Sequence, residues 1–364
     1  TKHTMNKTLK SRKKRLIDAL SIQTSSGKEE AMIKYIISFC LKNAPSAKIE
    51  VLNNNVYITK GESEIYPCIV AHTDTVHDIH KFYKVFDNDN CLFAFNAEKG
   101  IQVGVGGDDK VGVWLALEML RRQEFVKCVF FHSEEIGCVG SRDANMSWFN
   151  NVAYCLQGDR RGNKDFVNSI SGKLYSDSFA EDILPIISKY GYAETTGSIT
   201  DVGQLAENGI GVAVANMSCG YYAPHSDSEI VEFLDANNCL DMIINIVDSL
   251  PCVRYEHKYQ DEYSFNHWGD FKGASKNFWY DDAQEVIVDG DGNETCYYCQ
   301  GELRESSFGD EFRYCGDCCS DVMCKTEEVE YSQFEDVSDN YDGSMEHRDI
   351  VNSYLNKTPY YKNK

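Results

Sequence analysis

Short β-rich segments alternate with helical segments from residue 48 to residue 250, and this alternation restricts the chain to few folds. Strand-like runs such as YPCIVAHTD (66–74), VKCVFFHSEE (126–135) and GIGVAVANMS (209–218) are separated by helical runs such as KVGVWLALEMLRR (110–122). Apolar strands that alternate with helices favour a largely parallel sheet with helices on both faces. We therefore predict an α/β fold, in which a mostly parallel mixed sheet is sandwiched by helices.

The pattern changes after Pro251, which follows the last helical run. We predict one domain over residues 5–252, a linker or extension over 253–290, a small cysteine-rich module over 291–325, and an acidic, partly disordered tail over 326–364. At the other end of the chain, two helices are expected over residues 9–24 and after the turn SSGKEE (25–30). Ser25 or Ser26 is placed to cap the second of them.

The net charge of −21 argues against a nucleic-acid partner, because cationic contacts dominate affinity for a phosphate backbone. A local basic patch near the N-terminus, around Lys13, stays open as an alternative. No apolar run reaches the length that a membrane span needs, and no apolar segment typical of a signal peptide follows the basic start. A cytoplasmic location is the resulting expectation.

The 15 cysteines fall into two groups. Nine are scattered singly between Cys40 and Cys252, several inside apolar strand-like runs, and are interpreted as free thiols. The other six lie between Cys296 and Cys324. Among them, CYYC (296–299) and CGDC (315–318) have the C-x2-C-x15-C-x2-C spacing typical of a zinc ribbon.

The ribbon predicts one structural Zn²⁺ held by Cys296, Cys299, Cys315 and Cys318. Cys319 or Cys324 could replace Cys318, and a redox dithiol pair or a disulfide cluster are the alternatives. Because the segment has few aliphatic residues, the metal would supply much of its folding energy. Its acidic character favours a protein partner or a role in shielding the active-site cleft.

Histidines and carboxylates stand at the predicted strand ends of the first domain. They are His72 and Asp74, Asp108 and Asp109, Glu134 and Glu135, Asp159, and His225. The carboxyl ends of parallel strands face one crevice, so these side chains are expected to converge. Mixed nitrogen and oxygen ligands suit zinc, and also cobalt or manganese.

Each of these pieces has a structural explanation when taken alone. His72 could bond to backbone, the pair Asp108–Asp109 could cap the following helix, and Glu134 and Glu135 could lie in a solvated loop. Five such pieces in this order, each at the edge of a strand or loop, favour a metal site.

These residues resemble the clan of co-catalytic metallopeptidases that contains families M20, M28 and M42. Peptidase T-like members have similar sequences at HTDT (72–75), at a glycine-flanked DDK (108–110) and at a Glu-Glu pair after a strand. The opening segment LIDALSIQTSSGKEEAMIKYI (16–36) also resembles that clan. The resemblance extends over roughly residues 9–250 and implies a zinc-exopeptidase-like fold.

The resemblance implies a role for each residue. Asp108 would bridge two metals; His72 and Asp159 would complete one, and Glu135 and His225 the other. Glu134 would be the general base and Asp74 the carboxylate that orients a ligand or the base. A cis peptide bond between Asp108 and Asp109 is also implied.

The chain departs from many M20 and M42 members because it leaves no room for a lid insertion. Only 36 positions separate His72 from Asp108, and only 66 separate Asp159 from His225. Without lid-borne groups, Arg160 and Arg161 are the candidates for anion recognition, with surface arginines in a turn as the alternative. Asp201, in a segment that resembles the clan's Gly-Thr-Asp stretch, is expected near the site.

The predicted function is a di-zinc hydrolase of peptide or related amide bonds, most simply an exo-acting aminopeptidase. One alternative is a deacylase or amidase that acts on a non-peptide amide. The other is a non-catalytic interaction protein that uses the zinc ribbon.

Overall fold

The computed structural model describes residues 7–260 and, beyond them, the backbone of six short strands between residues 284 and 325. The chain divides into two compact units, Thr1–Ser264 and Phe265–Lys364. No helix in the described part of the chain is long and apolar enough to cross a membrane.

The first unit contains seven α-helices and thirteen strands within its described residues. In chain order these are α1 (Lys7–Leu20), α2 (Glu30–Asn43), β1 (Lys48–Leu52), β2 (Asn55–Lys60), β3 (Tyr66–His72), β4 (Tyr83–Asn88), β5 (Cys91–Asn96), β6 (Ile101–Val103), α3 (Gly107–Arg122), β7 (Val126–Phe131), α4 (Val139–Arg142), β8 (Val152–Arg160), β9 (Asp165–Ser169), α5 (Asp177–Ile187), β10 (Ala193–Thr196), α6 (Asp201–Glu207), β11 (Val214–Ser218), β12 (Tyr221–Tyr222), β13 (Ile230–Glu232) and α7 (Phe233–Ser249).

An eight-stranded mixed sheet forms the centre of this unit, with the order β1-β2-β7-β3-β8-β11-β9-β10. Strands β7, β3, β8 and β11 run parallel to one another, and β9 pairs antiparallel with β11. All seven residues of β3 are buried, and both α3 and α6 contact this strand. A strand covered by helices in this way needs an apolar sequence throughout, which is what YPCIVAH provides. The predicted α/β fold class is confirmed.

A second, five-stranded antiparallel sheet contains β12, β13, β5 and β4 in that order, with β6 paired to β5. Strand β13 joins β5 through the pairs Val231–Leu92 and Glu232–Cys91. The segments between β3 and α3 and between β11 and α7 therefore meet in one sheet beside the main one.

Helix α3 is buried almost throughout, including Trp114, whose side chain packs edge-on against Phe233. Helix α1 packs against α3 and places its basic residues in ion pairs. Arg12 pairs with Asp241 at 2.7 Å, Lys13 pairs with Asp87, and Arg15 pairs with Glu118. The basic residues that suggested an N-terminal patch are thus largely neutralised within the fold.

The predicted serine cap of the second helix is wrong. The N-cap position of α2 is Glu29, which makes no side-chain capping bond, and the Ser26 hydroxyl instead donates to Asp74 Oδ2 at 2.7 Å. Tyr255, in the predicted linker, is buried and packs against Tyr154 and Phe179. Residues just past Pro251 therefore pack against the first unit, and the linker or extension over 253–290 stays a prediction.

The second unit contains β14 (Gln284–Glu285), β15 (Ile287–Val288), β16 (Glu294–Thr295), β17 (Leu303–Glu305), β18 (Phe312–Cys315) and β19 (Ser320–Lys325). Strands β17, β18 and β19 form an antiparallel meander, and β14 pairs with β19. The paired strands β17 and β18 stand between Cys299 and Cys318 in the sequence. The side chains of Cys296, Cys299, Cys315 and Cys318 lie outside the described part of the structure, so the ribbon zinc stays a prediction.

Candidate metal centre and active site

Three neighbouring strands end at one edge of the main sheet and carry most of the candidate site. His72 is the last residue of β3, Asp159 lies near the end of β8, and Glu134 and Glu135 follow β7. Asp108 lies in the first turn of α3, and His225 follows β12. The order β7-β3-β8 makes these strand ends adjacent, as expected for parallel strands.

Asp108 lies between the two histidines and presents one carboxylate oxygen to each. Its Oδ1 is 3.1 Å from Nε2 of His72, and its Oδ2 is 3.3 Å from Nε2 of His225. The peptide bond between Asp108 and Asp109 is cis, as the family resemblance implied. Because the two oxygens of Asp108 face different histidines, each could bind a different ion, as the oxygens of a bridging ligand do.

The remaining carboxylates divide between the two histidines. Asp159 Oδ1 is 3.7 Å from His72 Nε2, and Glu135 Oε2 is 3.1 Å from His225 Nε2. Glu134 Oε2 lies 3.9 Å from His72 Nε2. Two groups result, His72 with Asp159 and His225 with Glu135, and Asp108 is common to both.

These carboxylates lie close together and are buried, so little solvent screens the repulsion between their charges. Burial, and after it the charge of Asp108, raises the pKa of Glu135 to about 7 and that of Asp159 to about 6. Burial also raises the pKa of Glu134 well above its ordinary value. Without a cation, these carboxyl groups therefore tend to hold protons, and a divalent cation would stabilise their deprotonated forms instead.

The donor atoms fit a metal. Burial lowers the pKa of His225, but Asp108 and Glu135 outweigh it and raise that pKa to about 11. Within the described residues, His225 Nε2 and Glu135 Oε1 are buried and have no aligned hydrogen-bond partner. Unpartnered buried nitrogen and oxygen atoms are costly unless something binds them. Imidazole nitrogen and carboxylate oxygen are the ligands that zinc takes.

Asp109 forms an alternative group with His72 and Asp159, since their ligand atoms also lie within 4.8 Å of one another. Its two carboxylate oxygens, however, accept backbone N–H bonds from His72 (3.2 Å) and Gly112 (2.9 Å). Asp108 has no such backbone donors on its carboxylate among the described residues. Asp109 therefore holds the end of β3 against α3, and the Asp108 carboxylate is the one of the two that is available to an ion.

Asp74 connects the two loops of the site. Its Oδ1 is 3.3 Å from His72 Nδ1 and accepts the backbone N–H of Glu134 at 3.0 Å, while its Oδ2 accepts the backbone N–H of Glu135 at 3.3 Å. Asp74 thus orients the His72 ring and fixes the backbone of the Glu134–Glu135 pair. The Ser26 hydroxyl completes this carboxylate's hydrogen bonds.

Side chains that the sequence analysis did not select hold Asp159. The Gln157 amide and the Thr200 hydroxyl donate to its Oδ2 at 3.1 and 3.2 Å, and the Tyr221 hydroxyl donates to its Oδ1 at 3.3 Å. Asn216, on the neighbouring strand β11, accepts the backbone N–H of Asp159 and donates to its carbonyl. Gln157 stands two residues before Asp159 on the same strand face, a spacing that could have indicated it.

Glu229 is a further residue that the sequence analysis missed, although it lies in the APHSDSE segment (223–229). Its side chain is fully buried and accepts the backbone N–H groups of Gly106 (2.6 Å) and Asp108 (3.1 Å). His77 Nε2 lies 2.7 Å from the same carboxylate. Gly106 has a left-handed backbone with φ of 67°. Glu229 thus holds the loop that delivers Asp108.

The residues expected to contact substrate or to lie near the site are found around this centre. Arg160, the last residue of β8, donates through Nε to Asp165 Oδ2 at 2.8 Å, and Arg161 follows the strand. Asp201 is fully buried at the start of α6, with its Oδ2 3.4 Å from the Gln157 amide. Burial raises the pKa of Asp201 to about 7. A role for any of these three in binding substrate stays a prediction.

The sheet order, the flanking helices and the strand-edge site define the α/β fold of the zinc exopeptidases. Solved structures with this fold include aminopeptidase PepT from Bacillus cereus, at 11% identity and a TM-score of 0.56, covering 66% of this chain and 98% of that one. A tripeptidase from Staphylococcus aureus has 11% identity and a TM-score of 0.54, covering 66% and 97%.

An aminopeptidase from the archaeon Desulfurococcus kamchatkensis has 16% identity and a TM-score of 0.51, covering 67% of this chain and 96% of that one. At such low identities the similarity shows the fold, and it confirms that part of the resemblance. No protein-family model and no curated protein matches the sequence.

Proposed function

We propose that this chain is a metal-dependent aminopeptidase with a two-metal site. The observation that carries the proposal is the position of Asp108, whose two carboxylate oxygens face two different histidines. His72 and Asp159 would hold one ion, and Glu135 and His225 the other. Zinc suits this ligand set best, and cobalt and manganese are alternatives. The names of the solved neighbours, which are aminopeptidases and a tripeptidase, support a peptide substrate.

When bound, such a metal pair lowers the pKa of the attacking water and polarises the scissile carbonyl. The chain's own residues supply the proton transfers and the alignment. Glu134 follows β7 beside His72 and takes the proton of the attacking water on its carboxylate, then returns it to the leaving amine. Asp74 keeps the Glu134 backbone and the His72 ring in register during that exchange.

Metal content and substrate preference together test the proposal. We expect two divalent ions in the first unit, and hydrolysis of amides that have a free α-amino group, blocked by a chelator. N-acetylated and carboxy-blocked versions of the same substrates separate an aminopeptidase from a deacylase or a carboxypeptidase. Fewer than two ions in the first unit, or cleavage of only the acylated substrates, would contradict the proposal.

We further propose that Cys296, Cys299, Cys315 and Cys318 bind one structural zinc. The spacing of the two cysteine pairs and the β17–β18 hairpin between them support this ribbon. Replacing Cys296 and Cys299 by serine should lower the metal content by one ion and leave the other two in place. A protein partner is the favoured role for this acidic module. Unchanged metal content in the serine variant would contradict the proposed ribbon zinc.

A further inference from the structure

The turn that follows the two glutamates closes on a buried cysteine. The backbone N–H groups of Gly137 and Cys138 both donate to the carbonyl of Glu134, at 2.9 and 2.7 Å. Cys138 has a left-handed backbone with φ of 53° and is 1% exposed. A non-glycine residue in this conformation is uncommon and indicates that the surrounding structure holds it there.

This conformation directs the thiol of Cys138 back to the Glu134 side chain. Its Sγ donates to Glu134 Oε1 at 3.4 Å. The thiol is thus a buried hydrogen-bond donor to the Glu134 carboxylate. The other oxygen, Oε2, faces His72. One oxygen of the carboxylate is therefore anchored, and the other is directed at the metal centre.

We propose that Cys138 is a positioning residue that holds the Glu134 carboxylate in the orientation from which it accepts and returns a proton. The inference rests on the proposed function of Glu134. A glutamate has three rotatable bonds, and an unanchored carboxylate would spend part of its time away from the attacking water. Burial, together with the charges of Asp201 and Glu134, raises the pKa of the Cys138 thiol, which therefore remains a protonated donor.

Kinetics of two variants test the positioning role. Cys138→Ala should lower kcat by about 3- to 10-fold, the effect of one lost hydrogen bond, with KM within about twofold and with unchanged metal content. Cys138→Ser keeps a donor and should restore kcat to within about twofold of the parent protein. An unchanged kcat in Cys138→Ala, or a serine variant no better than the alanine variant, would overturn the proposal.

Cys128 provides the matched control. It is also a fully buried thiol, but its Sγ donates to a backbone carbonyl, that of Ala116, at 3.6 Å. Cys128→Ala should lower the thermal midpoint without changing kcat. A similar fall in kcat from Cys128→Ala would mean that loss of any buried thiol explains the effect of Cys138→Ala.

A spectroscopic readout separates failure of this inference from failure of the proposed function. The S–H stretching band of Cys138, isolated as the infrared difference between the parent protein and Cys138→Ala, should shift in Glu134→Gln because an amide replaces the carboxyl group as the acceptor. This measurement needs no substrate. An unshifted band would show that the thiol does not bond Glu134, whatever reaction the protein catalyses.

Discussion

Glu134 and Glu135 are consecutive residues with different surroundings, which support the different roles proposed for them. Glu135 lies 3.1 Å from the His225 nitrogen, whereas Glu134 lies 3.9 Å from His72 and bonds a thiol. A carboxylate close to an imidazole that also faces the shared Asp108 is suited to hold an ion. A carboxylate that lies farther from the nearest imidazole is suited to accept a proton from water and return it.

Glu134→Gln tests that difference. The amide keeps the shape of the side chain but cannot accept a proton, so kcat should fall by at least about 100-fold while both active-site ions remain bound. Turnover against an aminoacyl amide and metal content on the same preparation provide the check. Full activity in this variant would refute the assignment of Glu134 as the base.

Metal affinity should depend on pH because the ligands are protonated over an accessible range. Burial raises the pKa of Glu135 to about 7 and of Asp159 to about 6, and ions bind the deprotonated forms. Affinity should therefore rise with pH through this range and be at least about tenfold lower at pH 5.5 than above pH 7, with protons released on binding. Competition with a chelator at both pH values measures it, and equal affinities would contradict the expectation.

The positions of the strand ends, and their convergence at one edge of the sheet, could be predicted from the sequence. His72, Glu135 and Asp159 follow apolar runs whose length and composition identify buried strands, and the parallel-sheet rule brings their ends together. Their role as metal ligands came from the family resemblance. Neither the strand pattern nor the family resemblance selected Ser26, Gln157 or Glu229 as residues of the site. Their partners are distant in sequence or depend on turn geometry, as for Ser26 and Asp74, 48 positions apart.

Helix α1 is held to the core helix α3 by a buried ion pair. The Glu118 side chain is 3% exposed and pairs with Arg15 and, at 3.1 Å, with Arg121. Arg15→Met should lower the free energy of unfolding by roughly 2–4 kcal/mol, because it leaves a buried carboxylate with one weaker partner. Urea denaturation measures the change.

Lys14 is the control for that variant. It forms an ion pair with Asp18 on the same helix, but both side chains are exposed. Lys14→Met should change the free energy of unfolding by less than about 0.5 kcal/mol. Equal effects at the two positions would show that α1 is not held by the Arg15–Glu118 pair.

At the scale of the whole molecule, every residue proposed for the active site lies within the first unit, Thr1–Ser264. A chain that ends at Ser264 should therefore fold, keep two ions and retain hydrolysis within about threefold of the full chain. Its metal content should be one ion lower if the cysteine module binds zinc. Loss of active-site ions on truncation would show that the second unit contributes to the centre.

The two sheets of the first unit meet at the proposed metal centre through Glu229. This carboxylate stands just before β13 in the five-stranded sheet and bonds the backbone on both sides of Gly107, where α3 begins. Ion binding and the anchoring of the smaller sheet are therefore coupled, because whatever secures Asp108 also secures its Glu229 contact. Stripping the ions should speed amide deuterium exchange in β12 and β13 more than in β2, and uniform acceleration would argue against that coupling. Cells short of zinc would then contain a protein whose smaller sheet is loosened while its central sheet persists.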